Sequence, residues 1–400
     1  MAGVAQQVSS RSVLRNRNFR RVWIGATLSS AGDAASWIAL VALTLGGGHA
    51  NLAVLATVYT APVAVGGLLS GWALDRFNRR LVIIADSLFR AGVFASIPVA
   101  AAVGHLTAAQ LYVVAGVYGF LKMISLAGFP AMIPSLVDAG ALTQANALEG
   151  ASFGLSSIAG ALLAGLTIPI IGPVPLVIAD ACTYALFALL LGSVSMPSHV
   201  HAETEPTAPQ TGLLPVLRLV LRHRWLRELT IMFALANVGE GALLVFLPNR
   251  AIQIGLGVNG YGWLVAAVTG GELLAAVAML RLPWRFALPP SVVVAQLTAA
   301  VLILALMFGM PSVAVAALVL FGTCSTPMTA WAQTLRMQVI PEHARGRAFS
   351  ILRTFMQATP PLGALLAAVT LPHGVTVTVF AISAAIGLPA LLLGPRILRD

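Results

Sequence analysis

Long apolar runs, separated by short clusters of arginine, glycine and proline, divide the chain into twelve segments. They lie at 21–45, 51–74, 81–103, 107–133, 147–171, 174–192, 226–250, 259–280, 287–309, 312–335, 349–370 and 374–393. Each is close to or above the ~20 residues a helix needs to cross hydrocarbon. Lipid offers no partner to backbone N–H and C=O groups, so such runs must satisfy them internally, as helices. The pattern predicts an all-α polytopic membrane protein with twelve transmembrane helices. The first twenty residues are polar and Arg-rich, with no short apolar core ahead of the first span. No cleavable leader is expected, and the first span itself serves for insertion.

Composition agrees with the pattern. The 400 residues are 58% hydrophobic and only 9% charged, with a mean hydropathy of +0.92, whereas soluble chains carry about 25% charged residues. Too few polar side chains remain to cover a water-facing surface, which argues against a soluble enzyme, a disordered chain or a nucleic-acid binder. The net charge of +10 fits the positive loops of a membrane protein. Of 23 basic residues, 19 fall in alternate loops and the two termini, only Arg250 lies at the opposite face, and Arg90, Lys122 and Arg353 fall inside spans. Both termini are therefore expected in the cytoplasm. Cys182 and Cys324 sit in apolar runs and read as small buried hydrophobes.

The polar stretch 195–212, rich in Pro, Ser and Thr, splits the spans six and six. Expected domains are an N-terminal bundle at 1–194, a cytoplasmic linker at 195–224 and a C-terminal bundle at 225–400. The halves repeat weakly. GALLA at 160–164 returns at 363–367, GGLL at 66–69 is answered by GGELL at 270–274, and NFRRVW at 18–23 by RWLREL at 224–229. Three matches in order at nearly one offset favour two pseudo-symmetric six-helix bundles, an arrangement in which transporters hold substrate near the midplane between halves.

The loop after span two, GWALDRFNRR, resembles the signature of the major facilitator superfamily at Gly71, Asp75, Arg76, Arg79 and Arg80, with Asn78 where the pattern has a second Gly. Asn tolerates a left-handed turn nearly as well as Gly. Segments 16–33, 133–148 and 340–350 are similar to the bacterial drug, macrolide and siderophore exporter branch. This resemblance implies the major facilitator fold and a cytoplasmic latch, in which Asp75 meets the start of span eleven with Arg347 and Arg353 as possible partners.

Ionisable groups inside the membrane cost at least ~2.5 to 3.5 kcal/mol each at a helix centre, so they mark function by default. Asp33 lies 12 residues into span one, ~18 Å deep at 1.5 Å per residue, and Lys122, the only lysine, about 15 residues into span four. Glu240 is the second-half counterpart of Asp33 within one residue of the repeat offset, and Glu272 lies at similar depth in span eight. These four are the candidates for substrate and proton coupling. Asp33, beside Lys122 if spans one and four pack as the resemblance implies, is the expected ionised acid; Glu240 and Glu272, without a basic partner in their own spans, are the expected proton carriers. Asp86 and Arg90, four apart, suit an ion pair within span three. Asp180, Glu149 and Arg353 are assigned to headgroup level.

The histidines show no metal-site spacing, and no Walker loop or catalytic triad spacing is present. The expected function is secondary export of an amphipathic small molecule by proton antiport, with no enzyme activity and no cofactor or metal. The expected partners are a small-molecule substrate, protons and the lipid bilayer, with the chain acting as a monomer without nucleic acid in a bacterial inner membrane. An inward proton symporter, a lipid or lysolipid flippase, or a non-transporting receptor or scaffold remain open alternatives.

Overall fold

A computed structural model describes residues 13–46, 51–194, 218, 221–257, 259–281, 288–340, 352, 355–356 and 358–397. Among the described residues, twelve α-helices fall on the twelve apolar runs, the eleventh from Pro360 onward. The first half holds α1 (Arg17–Gly46), α2 (Leu52–Arg76), α3 (Arg79–Ala102), α4 (Ala108–Leu136), α5 (Leu142–Ile171) and α6 (Val174–Gly192). The second holds α7 (Arg224–Gln253), α8 (Gly260–Arg281), α9 (Leu288–Leu304), α10 (Pro311–Val339), α11 (Pro360–Thr370) and α12 (Val375–Ile397). Ten are long and apolar enough to cross a membrane; α2 contributes a shorter apolar stretch, Leu52–Gly67, and α11 an 11-residue helix. The start of α5 at Leu142 precedes the expected 147 because LTQAN is polar enough to hide a helix end that leaves the apolar zone. The linker at 195–212 lies outside the described residues.

Outward-facing apolar side chains stay exposed, as a lipid-facing surface requires. Leu189 on α6, Val294 and Val301 on α9, and Leu392 on α12 are at least 60% exposed. Helix ends are specified locally. Asn51 and Asn78 adopt extended backbone and accept from the first free N–H groups of α2 and α3, which would otherwise lack partners. Asn78 thus has φ −60°. The left-handed turn expected of it is absent, because a side-chain cap has taken over the role of the signature glycine.

The internal repeat is written in packing. The most extensive contacts pair α2 with α4, α3 with α6, and α1 with both α5 and α6; their counterparts α8 with α10, α9 with α12, and α7 with both α11 and α12 recur in the second half. Glycines set the closest approaches. A Cβ on Gly66 would overlap the Phe120 carbonyl and one on Gly119 the Tyr59 carbonyl; Gly271 and Gly322 stand the same way against Val319 and Val268. Gly160 of α5 seats on the Ala31 carbonyl, and Gly363 of α11 on that of Val238. The repeated GALLA therefore begins at the residue that lets backbones touch, the usual use of small residues between helices in lipid.

The start of α1 at Arg17 and the end of α12 at Ile397 share one face of the bundle, since the number of crossings among the described helices is even. At the opposite face one hydrophobic core joins both halves, running through Leu40, Leu55, Ala164, Phe246, Leu264 and Ala367. Toward the termini the cores separate: one cluster holds Phe19, Met132 and Leu191 of the first half, and two others hold only second-half residues, including Phe233, Met328 and Ala390. Interhalf bonding follows the same division. Trp37 Nε1 donates to Tyr261 Oη at 2.9 Å, and a Cβ on Gly262 would lie 2.9 Å from Gly165 Cα. Among the described residues, the halves are closed against each other at the far face and separate toward the termini.

Candidate functional site

A cavity of about 190 Å³ lies in the first half between α1, α2, α4 and α5, with Asp33, Trp37, Tyr59, Tyr118, Lys122 and Glu149 in its wall. Its aromatic wall is ordered. Trp37 and Tyr59 stack at 4.4 Å, and Tyr59 and Tyr118 at 5.2 Å. Lys122 Nζ sits 5.0 Å from the Tyr59 ring centroid, a cation–π distance that compensates an ammonium away from bulk water. Asp33 and Lys122 therefore do share one cavity. The cation nearest to Asp33, however, comes from another helix.

Arg90 of α3 is fully buried, the largest such side chain among the described residues. Its Nη1 is 3.9 Å from Asp33 Oδ1 and its Nε 3.2 Å from Asp86 Oδ1, so the expected pair within α3 exists and extends into α1. Arg90 Nη1 also donates to Tyr184 Oη at 3.4 Å, and its guanidinium carbon stands 5.6 Å from the rings of both Tyr118 and Tyr184. The Tyr184 hydroxyl donates to Asp33 Oδ1; Tyr118 Oη donates to the Asp33 carbonyl at 3.2 Å. Behind them lies Asp180 of α6, fully buried, its Oδ1 accepting from Thr183 Oγ1 at 3.1 Å. Its carboxyl occupies the space a side chain on Gly32 would fill.

Headgroup-level placement is therefore wrong for Asp180: α1 and α3 cover it, and counting residues from the end of span six could not reveal that cover. The available signal was the spacing of Asp180 and Tyr184, four apart and so on one helix face. Glu149 is likewise displaced from headgroup level; it is half-buried and lines the cavity. Arg250, read as lying at the opposite face, is buried there. It donates to the carbonyls of Leu306, Met307 and Phe308 at 2.9 to 3.0 Å, where a helix end presents free acceptors and partial negative charge.

In the second half, Glu240 lies 16 residues beyond the first residue of α7 (240 − 224), as Asp33 does in α1 (33 − 17), and both helices have 30 residues. Glu240 is exposed although its helix neighbours Phe233, Ala236 and Leu243 are buried. The exposed Ile231 lies nine residues earlier, half a turn away at 100° per residue, so Glu240 does not share its lipid-type face. Glu272 of α8, half-buried, lies within electrostatic reach of Glu240, and its backbone carbonyl accepts from Thr326 Oγ1 of α10 at 3.1 Å. That bond ties α8 to α10 beside Glu272.

The signature loop ties helix ends together. Arg79 donates to the carbonyls of Leu74 at 3.3 Å and Ala131 at 2.9 Å, linking α2, α3 and α4. Arg80 donates to the carbonyls of Leu191 at 3.0 Å and of Gly192, at the end of α6. Gly71, Asp75 and Arg76 close α2, with Arg76 exposed. Arg347 and Arg353 lie outside the described residues. Among the described residues no group of His, Cys, Asp and Glu side chains is arranged to hold a metal.

Three comparisons place this architecture among known proteins. The family model described as Major Facilitator Superfamily matches residues 22–284 and 229–400. The multidrug efflux pump Tap of Mycobacterium tuberculosis is 27% identical over 366 residues, covering 85% of this chain and 84% of that protein. An MFS-type transporter of Sinorhizobium fredii is 26% identical over 386 residues, 93% of each chain. Among solved structures, the nucleoside transporter NupG superposes with a TM-score of 0.74 at 12% identity, covering 96% of this chain and 98% of that one. A bacterial homolog of the human lysosomal transporter Spinster, in an inward-facing and occupied conformation, gives 0.67 at 12% identity over 96% and 95%. At these identities the structures establish the fold alone, and the family match carries the assignment: the chain belongs to the Major Facilitator Superfamily.

Proposed function

We propose that this membrane transporter exports an amphipathic small molecule by proton antiport, with alternating access between its two six-helix halves. One observation carries the reading: carboxyls at equal depth on α1 and α7, Asp33 and Glu240, reach open space near the bundle centre, Asp33 with a side chain 21% exposed and Glu240 exposed outright. A carboxyl held in a low-dielectric centre is retained there for what it binds. The Trp37–Tyr59–Tyr118 wall offers a planar apolar surface, while Asp33, Glu149 and Lys122 supply both signs of charge. An amphipathic molecule with an aromatic body matches that lining, and the relatives named as multidrug efflux pumps point the same way.

In this scheme both termini are cytoplasmic in a bacterial inner membrane, and the separation of the halves toward the termini is the inward-facing state. Substrate enters the cavity from the cytoplasm. After closure at that face, protons from outside neutralise Glu240 and Glu272 and release substrate outward; they leave to the cytoplasm when the cavity reopens. The Asp75 latch would hold the outward-facing state, since an anion near a helix start is favoured by the dipole. One chain contains the whole path, so the monomer is the transport unit.

The test is transport in proteoliposomes of the purified protein with a fluorescent amphipathic cation. A pH gradient should drive its accumulation against its own gradient, and dissipating the gradient should stop it; equal accumulation with and without the gradient would overturn antiport. Orientation has its own measurement. A cysteine replacing His105 or Gly374 should react with a membrane-impermeant reagent in intact cells, and one at Gln210 should not; labelling at 210 would invert the topology. Asp75→Asn should leave membrane abundance unchanged and lower transport at least several-fold. Unchanged transport would reduce the signature acid to a loop charge.

A further inference from the structure

Asp180 and the groups around it do not close as a set of ionised side chains. Asp33, Asp86 and Asp180 bring three carboxyls against the Arg90 guanidinium and the Lys122 ammonium, and Glu149 of the cavity wall adds a fourth, so with every group ionised the carboxyls outnumber the cations. Burying an uncompensated charge costs several kcal/mol even after relaxation. Hydrogen bonding marks where the imbalance lies. The Ser36 hydroxyl stands beside the Asp180 carboxyl, yet Ser36 Oγ and Asp180 Oδ2 are both buried without a hydrogen-bond partner. Buried polar groups without partners are rare enough to require an explanation.

We propose that Asp180 is a proton-binding site behind the cavity, carrying its proton on Oδ2 as a hydroxyl that donates to Ser36 Oγ and exchanging it with the aqueous cavity through Asp33. Either direction would pair the two atoms, since a serine hydroxyl can donate to a carboxylate or accept from an acid; only the second removes excess charge from a fully buried carboxyl that has no ion-pair partner among the described residues. Asp33 is the exchange point because it alone of the three acids reaches the cavity: its side chain is 21% exposed against 2% for Asp86 and none for Asp180.

The surroundings name the competitors for that proton. Arg90 and Asp86 face the cluster from α3, Tyr118 and Lys122 from α4, Tyr184 from α6, Tyr59 from α2 and Glu149 from α5. Arg90 is fixed between Asp33 and Asp86, so its charge is already shared between them. Asp180 has as direct donors only hydroxyls, Thr183 and potentially Ser36, and is therefore where a proton compensates best. The site rests on the proton-coupling reading for its use, and not for its existence.

Infrared difference spectroscopy on the full-length protein in lipid, titrated from acid to alkaline pH, reads a buried carboxylic acid directly by its carbonyl stretch, which a carboxylate lacks. The wild type should show this band, Asp180→Asn should lose it, and Ser36→Ala should keep it but move it to the higher frequency of an acid that donates no hydrogen bond. Asp33→Asn should keep the Asp180 band while slowing its exchange in deuterated water. If the band survives Asp180→Asn, or Ser36→Ala leaves its frequency unchanged, the assignment is wrong. Should Asp180→Asn fail to fold, the Ser36→Ala shift decides alone. Transport separates this site from the functional reading: an Asp180 band in a protein with no pH-driven transport overturns the coupling and keeps the site, and pH-driven transport without such a band does the reverse.

Discussion

Glu240→Gln, Glu272→Gln and Asp33→Asn are each expected to abolish accumulation driven by an imposed pH gradient. Each amide keeps the size of the acid it replaces and mimics its neutral form, so the helices still pack but the position no longer exchanges a proton. In an antiporter the substrate and the proton share one switch. A permanently neutral position uncouples them, leaving downhill movement or binding while concentration against a gradient falls to background. Counterflow measured beside gradient-driven uptake in the same vesicles separates uncoupling from misfolding. Full gradient-driven accumulation in all three variants would make the midplane carboxyls structural. The effect should be largest at Glu240, the most exposed of the three and without an ion-pair partner among the described residues.

Arg90→Met is expected to destabilise the first half by about 3 to 5 kcal/mol, the range for removing one partner of a buried ion pair. Its guanidinium neutralises Asp33 and Asp86 and donates to Tyr184, so truncation leaves two carboxyls without that partner, Asp86 with a side chain only 2% exposed. Arg90→Lys should rescue little, because a single ammonium nitrogen cannot stand at both places where Nε meets Asp86 and Nη1 meets Asp33 and Tyr184, as the guanidinium fork does. Adding Asp86→Asn to Arg90→Met should recover part of the loss by removing one stranded charge. Membrane abundance and thermal unfolding in detergent measure all three variants. An Arg90→Met protein with unaltered unfolding temperature would show the cluster to be hydrated and of no structural weight.

Residue pattern made the fold readable to an unusual degree. Lipid removes the ambiguity between helix and strand, because a long apolar run has one way to satisfy its backbone, and twelve runs became twelve helices. The repeat was legible for a related reason. Gly160 and Gly363 hold their places because a carbonyl of α1 or α7 occupies the space of a side chain, and that constraint leaves a mark in the letters. The site was legible only in depth. Asp33, Lys122, Glu240 and Glu272 could be located along their helices by counting, but counting gives no azimuth, so the partnership of Asp33 with Arg90 and the burial of Asp180 depended on how three helices turn toward one another. Asp180 shows the cost of reading depth alone: near a span end by number, it is covered on all sides by α1 and α3.

The glycine contact between α5 and α8 differs from the others in joining the two halves. At Gly165 and Gly262 the backbones meet with no side chain between them, and the side-chain interlock across the halves lies beside them, at Trp37 and Tyr261. A backbone contact of that kind offers a pivot between the halves, whereas the seats of Gly66 on Phe120, Gly119 on Tyr59, Gly271 on Val319 and Gly322 on Val268 lie inside a half and bind its helices into one block. In the proposed alternating-access scheme, stiff blocks on such a pivot would turn a small rotation at the far face into a wide displacement at the opposite one. The lever arm of the machine is then the length of α5 and α8 themselves.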